Sequence, residues 1–414
     1  MKKKVVILGG GVIGMFSAYY LAKAGHSVTV LDKGALNGVS STGNAGMIVP
    51  SHVIPLAAPG MISKGIRWMF DSKSPFYVKP RLNSELLHWG WNFYRSANQK
   101  HVDDSKIALR DLSLLSKQLY QELSATANDF EFEEKGLLML FQSEKVGEEE
   151  RAAGAIARDL GLDVDILDRA ALQELDYGIQ TNAEGAVLYK GDAHLHPNKL
   201  FAFLREELGR QNVSFVEQVE INRIEKHAGS IKAIHTEKAT YEADAFVIAA
   251  GAWSAALAKL AGDSIQLLPG KGYSFTLEKP DCAPKIPTIL CEGKVAVTAF
   301  HDQIRFGGTM EITHTRDQAI NMKRVEGIVN TVHRFYPEMD FEPPQKEDVW
   351  MGYRPCSPTG LPYIGRSPKI SNLIFATGHG MMGLSLGAAT GKIVEEIVGG
   401  EMTSVDATLF QLKA

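Results

Sequence analysis

Lys4-Val-Val-Ile-Leu-Gly-Gly-Gly-Val-Ile-Gly14 is the stretch whose reading decides the fold. Val5 to Leu8 is an apolar run of strand length, and Gly9, Gly11 and Gly14 complete a G-x-G-x-x-G turn. Helical spacing follows from Val12 to Ala24 and stops at Gly25; His26 to Leu31 then alternates like a strand and ends on Asp32, 18 residues beyond Gly14. This order is the dinucleotide-binding βαβ unit. Gly9 permits the tight turn, Gly11 lets backbone approach a pyrophosphate, and Gly14 lets helix and strand pack closely. The helix start offers free N–H groups to phosphates, and Asp32 would accept from ribose hydroxyls while repelling a 2′-phosphate. NAD or FAD is therefore expected rather than NADP.

Length and composition agree with a globular protein of two or three lobes: 414 residues, 45% hydrophobic. Lys plus Arg number 44 against 48 for Asp plus Glu, so a net charge of −4 gives no electrostatic case for a nucleic-acid partner. Cys282, Cys291 and Cys356 form no CxxC pair, which argues against a disulfide framework. Met1-Lys-Lys-Lys4 before an uncharged run imitates a signal peptide, but the glycines weaken a helical h-region and no small-residue cleavage pattern follows. The expected location is cytoplasmic, or peripheral to the inner face of the membrane, without a transmembrane segment.

Further along, Pro50 to Pro80 reads as ordered loop or short helix and Leu82 to Leu123 as helical, with Trp89, Phe93, Leu109, Leu112 and Leu115 as core. Phe130 to Gln142 reads as a hairpin, Glu148 to Leu160 and Pro197 to Leu208 as helices, and Val213 to Val219 and Ile231 to Thr236 as strands. Tyr241 to Gly251 has the apolar character of a buried parallel strand whose end, at Gly251, meets a ligand. Ile265 to Met310 is strand-rich, and Arg316 to Tyr336 is helical. Near the C-terminus, strand Leu373 to Ala376 runs into Gly378-His-Gly-Met-Met-Gly383 and a helix. A second glycine-rich strand-turn-helix suits the longer FAD better than NAD, because another helix N-terminus could face the flavin pyrimidine ring.

Arg354, between Tyr353 and Pro355, has the planar fork that pairs with a carboxylate, although a surface salt bridge would use the same residue. Asp192, His194 and His196 alternate and could imitate a metal site, but further ligands are not apparent and no metal is expected. G-x-S-x-G, H-E-x-x-H and Walker A patterns do not occur.

With these residues in view, the chain resembles the D-amino acid dehydrogenase branch of the D-amino acid oxidase superfamily of FAD-dependent oxidoreductases. The likeness is carried in order by Gly9 to Gly14, Ser40-Ser-Thr-Gly-Asn-Ala-Gly46, Pro55 to Gly60, Asp192-Ala-His-Leu-His-Pro197, Ala249 to Trp253, Gly352-Tyr-Arg-Pro355, Gly360 to Gly365 and Thr377-Gly-His-Gly380. The resemblance implies an α/β fold: a Rossmann-like FAD domain from residues 1–60, 147–260 and 345–414, and a mainly antiparallel substrate domain, flanked by helices, from 61–146 and 261–344.

It also implies roles. Val12, Ile13 and Lys33 would join the motif glycines and Asp32 at the adenosine and pyrophosphate. Ser40, Ser41, Asn44, Ala45, Gly46 and Met47 would line pyrophosphate and flavin, Val219 the adenine. Gly378, His379, Gly380, Met381, Met382 and Gly383 would cover the flavin pyrimidine end. Arg354 would hold the substrate carboxylate, with Tyr273 and His52 as further candidates for the catalytic cavity. Some relatives attach flavin to a cysteine near this region, but Gly352 stands there and Cys356 is displaced by four residues, so non-covalent FAD is expected.

The implied reaction oxidises a D-amino acid, or a cyclic secondary amine such as D-proline or D-hydroxyproline, to an imino acid that hydrolyses to a 2-oxo acid. Hydride would pass from Cα to flavin N5, with oxygen, a quinone or another carrier as final acceptor. The alternatives are a glycine or sarcosine oxidase, a flavin-binding subunit of a larger oxidoreductase, and an NAD-binding regulatory module.

Overall fold

Strand Lys4–Leu8 lies inside a six-stranded sheet in the computed structural model, which describes residues 1–36, 40–61, 74–79, 83–175 and 177–412. The strand order is Tyr363–Arg366, Leu373–Thr377, Ala245–Ile248, Lys4–Leu8, Ser27–Leu31, Ser214–Val216, all parallel except the first pair. A parallel sheet covered on both faces needs apolar residues throughout, and Val5 to Leu8 and Ala245 to Ile248 are buried without alternation. Helix Val12–Lys23 is apolar nearly all round because it is enclosed: Phe16 packs against Tyr120 of helix Gln99–Thr126 and against helix Gly387–Gly399.

The second layer is a nine-stranded, mainly antiparallel sheet. Its path is Trp350–Cys356, Leu268–Glu278, Gln303–Ile312, Val295–Ala299, Thr288–Leu290, Leu137–Phe141, Gly185–Tyr189, Val164–Asp168, with Phe76–Val78 pairing alongside Gln303–Ile312. Helix Met322–Phe335 buries Val325, Ile328, Val329 and Val332 against it. A small pair, Met47–Ile48 with Ala193–His194, joins the region after the first βαβ unit to the Asp192 segment.

Several expectations change. Phe130 to Gln142 is not a hairpin: Leu137–Phe141 pairs with Gly185–Tyr189 and, in parallel, with Thr288–Leu290, since five buried apolar residues need partners on both sides. The expected boundaries at 147 and 345 cut across the large sheet, which takes Val164–Asp168, Gly185–Tyr189 and Trp350–Cys356 from segments allotted to the FAD domain. The expected Leu82 to Leu123 helix is two helices, Ser84–Ser96 and Gln99–Thr126, separated where the Asn98 side chain accepts from His101 N–H and caps the second. Helix Gly387–Gly399 begins four residues past Gly383, so the glycine-rich loop does not lead straight into a helix N-terminus. Of the Pro50 to Pro80 expectation, residues 62–73 and 80 lie outside the described residues, as does Leu82. Among the described residues, no helix is long and apolar enough to cross a membrane.

Candidate active site

Three neighbouring strands, Lys4–Leu8, Ser27–Leu31 and Ala245–Ile248, end together and present Gly9, Asp32 and Gly251 at the carboxyl edge of the parallel sheet. A cavity of about 940 Å³ opens there and extends to the large sheet. Gly9 has φ +112°, and a Cβ would lie 2.6 Å from Ala249 O; a Cβ on Gly14 would lie 1.9 Å from Gly9 O. Neither position admits a side chain, which is what brings helix and strand together. The Asp32 carboxylate accepts from Gly10 N–H at 2.7 Å and Gly34 N–H at 2.8 Å, bracing the turn and leaving lone pairs for a ribose. Val12 N–H, at the start of the helix, meets Ser41 Oγ at 3.2 Å. Lys33 sits 3.6 Å above the Trp253 ring centroid.

Of the expected cofactor set, Gly9, Gly11, Val12, Ile13, Asp32, Lys33, Ser40, Ser41, Asn44, Ala45, Met47, Val219, Gly251 and Gly378 to Gly383 line this one cavity. Gly14 and Gly46 stand behind its wall and shape it: a Cβ on Gly46 would lie 2.2 Å from Leu195 O. The residues fit an FAD. Gly380 leaves open space where backbone would approach a ligand, a Cβ on Gly11 would meet only Ser41 Oγ at 3.6 Å, and on the same wall His379 Nδ1 is a buried polar atom without a partner among the described residues. His379 Nε2 is held by Thr390 Oγ1 at 3.0 Å, and burial pushes this imidazole down to about 3, so it is neutral.

The far wall comes from the large sheet. Arg354 lies on the edge strand opposite Gly270, and its Nη1 donates to Thr309 O at 2.6 Å. Among the described residues, no carboxylate pairs with this guanidinium, and burial lowers its pKa. Thr309 has φ +59°, where the pairing slips by one residue between Lys271–Glu311 and Tyr273–Gly308. A β-branched residue in the left-handed region is strained, and this bulge turns the Thr309 carbonyl toward the arginine. The Trp350 ring lies against Gly43 and Gly352, where a Cβ would come within 2.0 and 2.1 Å of ring atoms.

Tyr273 lines the same cavity, and its hydroxyl is engaged within the large sheet. Its hydroxyl donates to Glu311 Oε1 at 2.5 Å and accepts from Asn321 N–H at 3.2 Å, and its pKa is driven far up by burial. It also packs into the buried core of the large sheet. His52 does reach the cavity. Its Nδ1 is 3.1 Å from Ser51 Oγ, whose hydroxyl donates to Asp192 Oδ2 at 2.5 Å.

Sequence reasoning missed Arg305, which donates from Nη1 to Thr42 O at 2.8 Å and Asn44 O at 2.7 Å and thereby fastens the Ser40 to Gly46 loop to the large sheet. It also missed Ser51 and Thr309. No local signal announces them, since each acts through a partner far away in the chain. Asp192, His194 and His196 do not converge: Asp192 turns to Ser51, while the His196 Nδ1 caps helix Pro197–Arg210.

A family model described as "FAD dependent oxidoreductase" (DAO) matches residues 4–397. The chain belongs to this family. A D-amino acid dehydrogenase of Vibrio atlanticus is 32% identical over 97% of both chains. One from Allorhizobium ampelinum is 31% identical over 97% of this chain and 96% of the other. The crystal structure of a glycine oxidase from Geobacillus kaustophilus has a TM-score of 0.75 with 24% identity, covering 100% of this chain and 98% of that one, and supports the fold. Membership makes the protein an FAD-dependent oxidoreductase, with its nearly full-length likeness to the D-amino acid dehydrogenases among the family's enzymes.

Proposed function

We propose that this enzyme oxidises a D-amino acid, or a cyclic secondary amino acid of the D-proline kind, to the imino acid, which hydrolyses to the 2-oxo acid. The observation that carries the reading is Arg354: a cavity-wall guanidinium with one protein acceptor and no carboxylate partner among the described residues. An arginine so desolvated favours an anion with two oxygens, and a carboxylate meets its fork. The curated relatives named D-amino acid dehydrogenase support this substrate class. FAD, held by the Gly9 to Gly14 turn, Asp32, the Ser40 to Met47 loop and the Gly378 to Gly383 loop, supplies a hydride acceptor when bound. Arg354 fixes the carboxylate, so that the Cα–H bond takes a single orientation. The apolar wall of Met139, Ile289 and Ala296 limits water around the reacting carbon.

We take the FAD to be non-covalent. Burial pushes the Cys356 thiol up to about 12, and an un-ionised thiol is a poor nucleophile toward a flavin ring.

The test is anaerobic titration of the yellow holoprotein with D- and L-amino acids, D-hydroxyproline, glycine and sarcosine. D-amino acids should bleach it, and a spectrum unchanged by all of them overturns the reading. Arg354→Leu should keep the yellow spectrum and lose roughly 10²- to 10³-fold in kcat/KM, the scale of leaving one buried charge unpaired. Unchanged kinetics in that variant would remove Arg354 from the site.

A further inference from the structure

Asp192 is buried, at 1% exposure, yet it connects to the cavity through two residues. Pairing of Met47–Ile48 with Ala193–His194 brings the turn before Ala193 beside Ser51. There Asp192 accepts twice from Ser51, from N–H at 3.1 Å and from the hydroxyl at 2.5 Å. Ser51 Oγ also lies 3.1 Å from His52 Nδ1, and His52 lines the cavity. Because Ser51 has one proton and gives it to Asp192, the contact to His52 is made by Nδ1–H donating to Ser51 Oγ. His52 Nε2 is then the bare nitrogen, and it has no protein partner among the described residues.

We propose that Asp192, Ser51 and His52 form a proton relay that removes the ammonium proton of the bound amino acid before its oxidation. Ammonium carries no lone pair to drive loss of hydride, so the substrate must first become a neutral amine. In the relay its N–H proton passes to His52 Nε2 while the Nδ1 proton moves to Ser51 Oγ and the Ser51 proton moves to Asp192 Oδ2. Three hydrogen bonds reverse direction. The substrate loses one positive charge, Asp192 loses its negative charge, and the imidazole remains neutral throughout.

The surroundings suit that division. Burial holds His52 down to about 4, unfavourable for a resting cation, and raises Asp192 to about 7, where it can take a proton at neutral pH. The other titratable groups facing the chain are Tyr189, which feels Asp192 and Glu150 and is kept protonated mainly by burial, and two ion pairs. Glu150 and Lys294, paired with each other at 3.2 Å, act on His52 in opposite senses; Lys117 favours the Asp192 carboxylate and is itself paired with Glu134 at 2.6 Å. A purely structural Ser-Asp contact would not require a histidine that lines the cavity at its end.

This inference rests on the amine-oxidation reading, and pH separates the two. In stopped-flow reduction of the holoenzyme by D-alanine, or by D-proline if that is the better substrate, the wild-type rate should fall on acidification below about pH 7 as Asp192 loses its capacity to accept. Ser51→Ala should be at least about tenfold slower at pH 7 and should approach the wild-type rate near pH 10, where solvent supplies neutral amine. Asp192→Asn should behave alike, and should lose a protonated-carboxyl infrared band that wild type shows at pH 6. Equal rates for Ser51→Ala and wild type at pH 7 overturn the relay. So does a deficit of the same size at every pH, which would mark a packing role. Arg354→Leu remains slow at pH 10, so failure of carboxylate binding is distinguishable. A wild-type holoenzyme bleached by no amino acid overturns the underlying reading and the relay with it.

Discussion

Single residues in this protein are constrained in two different ways. Arg354 and His52 line the cavity, and among the described residues each side chain has one hydrogen-bond partner, Thr309 O and Ser51 Oγ, which leaves further capacity unused. Tyr273, which also lines the cavity, commits its hydroxyl to Glu311 and Asn321 inside the sheet. Cys356 illustrates a third case: its thiol packs at 3.9 Å from Met310 Sδ and 3.5 Å from Arg354 O, and burial keeps it protonated. Precipitating the holoprotein with acid should therefore release all the yellow colour into the supernatant. Colour remaining in the washed pellet would show a covalent flavin and reassign Cys356.

At the scale of elements, the first βαβ unit is legible because strand, glycine turn, helix, second strand and terminal acid follow one another within residues 4–32. Gly9 and Gly14 meet backbone within the same unit or on the adjacent strand, so the motif and the geometry are two statements of one packing requirement. Gly14→Ala places a methyl carbon 1.9 Å from Gly9 O, a backbone atom that cannot move independently of the turn. We expect a loss of about 2–4 kcal/mol in the apoprotein and at least a tenfold weaker hold on FAD. Chemical denaturation and FAD titration of the apoprotein measure the two; an unchanged midpoint would mean that helix and strand can separate at no cost. The glycine-rich loop after Leu373–Thr377 was harder to read. Glycines mark its close approaches, but the nine residues between that strand and helix Gly387–Gly399 are set by contacts such as Gly380 N–H to Pro355 O at 3.0 Å, made to a strand upstream. The Leu137–Phe141 strand departs from the expected hairpin for the same reason, since its partners lie about 50 and 150 residues away and leave no pattern inside the segment.

For the whole molecule, buried ionisable groups couple folding to pH. His194 and His379 are buried at 2% and 4% exposure and held down to about 4 and about 3, against an ordinary value near 6.5. The unfolded chain binds their protons first, so their stabilising contribution is complete above pH 6.5 and is lost as pH falls toward 4 and 3, at roughly 1.4 kcal/mol per pH unit per group. Asp192 has the opposite sign: raised from 3.8 to about 7, it favours the folded state at low pH and loses that contribution as pH rises through 7. Acidification from pH 7 to 5 should thus lower the melting temperature, and lower it further in Asp192→Asn, where the opposing group is absent; a smaller drop in the variant would mean that Asp192 is not the raised carboxyl. The sequence by itself determined what depends on neighbours in the chain: the Gly9 to Gly14 turn, Asp32 at the second strand's end, the order of family motifs, and the arginine available for a carboxylate. Only the tertiary structure decided that Tyr273 is occupied and that Arg305 fastens the cofactor loop. It also decided that a bulge at Thr309 aims Arg354, and that Asp192 reaches His52 through Ser51. These depend on contacts between residues far apart in the chain, and whether a polar side chain is free or already paired is settled only when those segments meet.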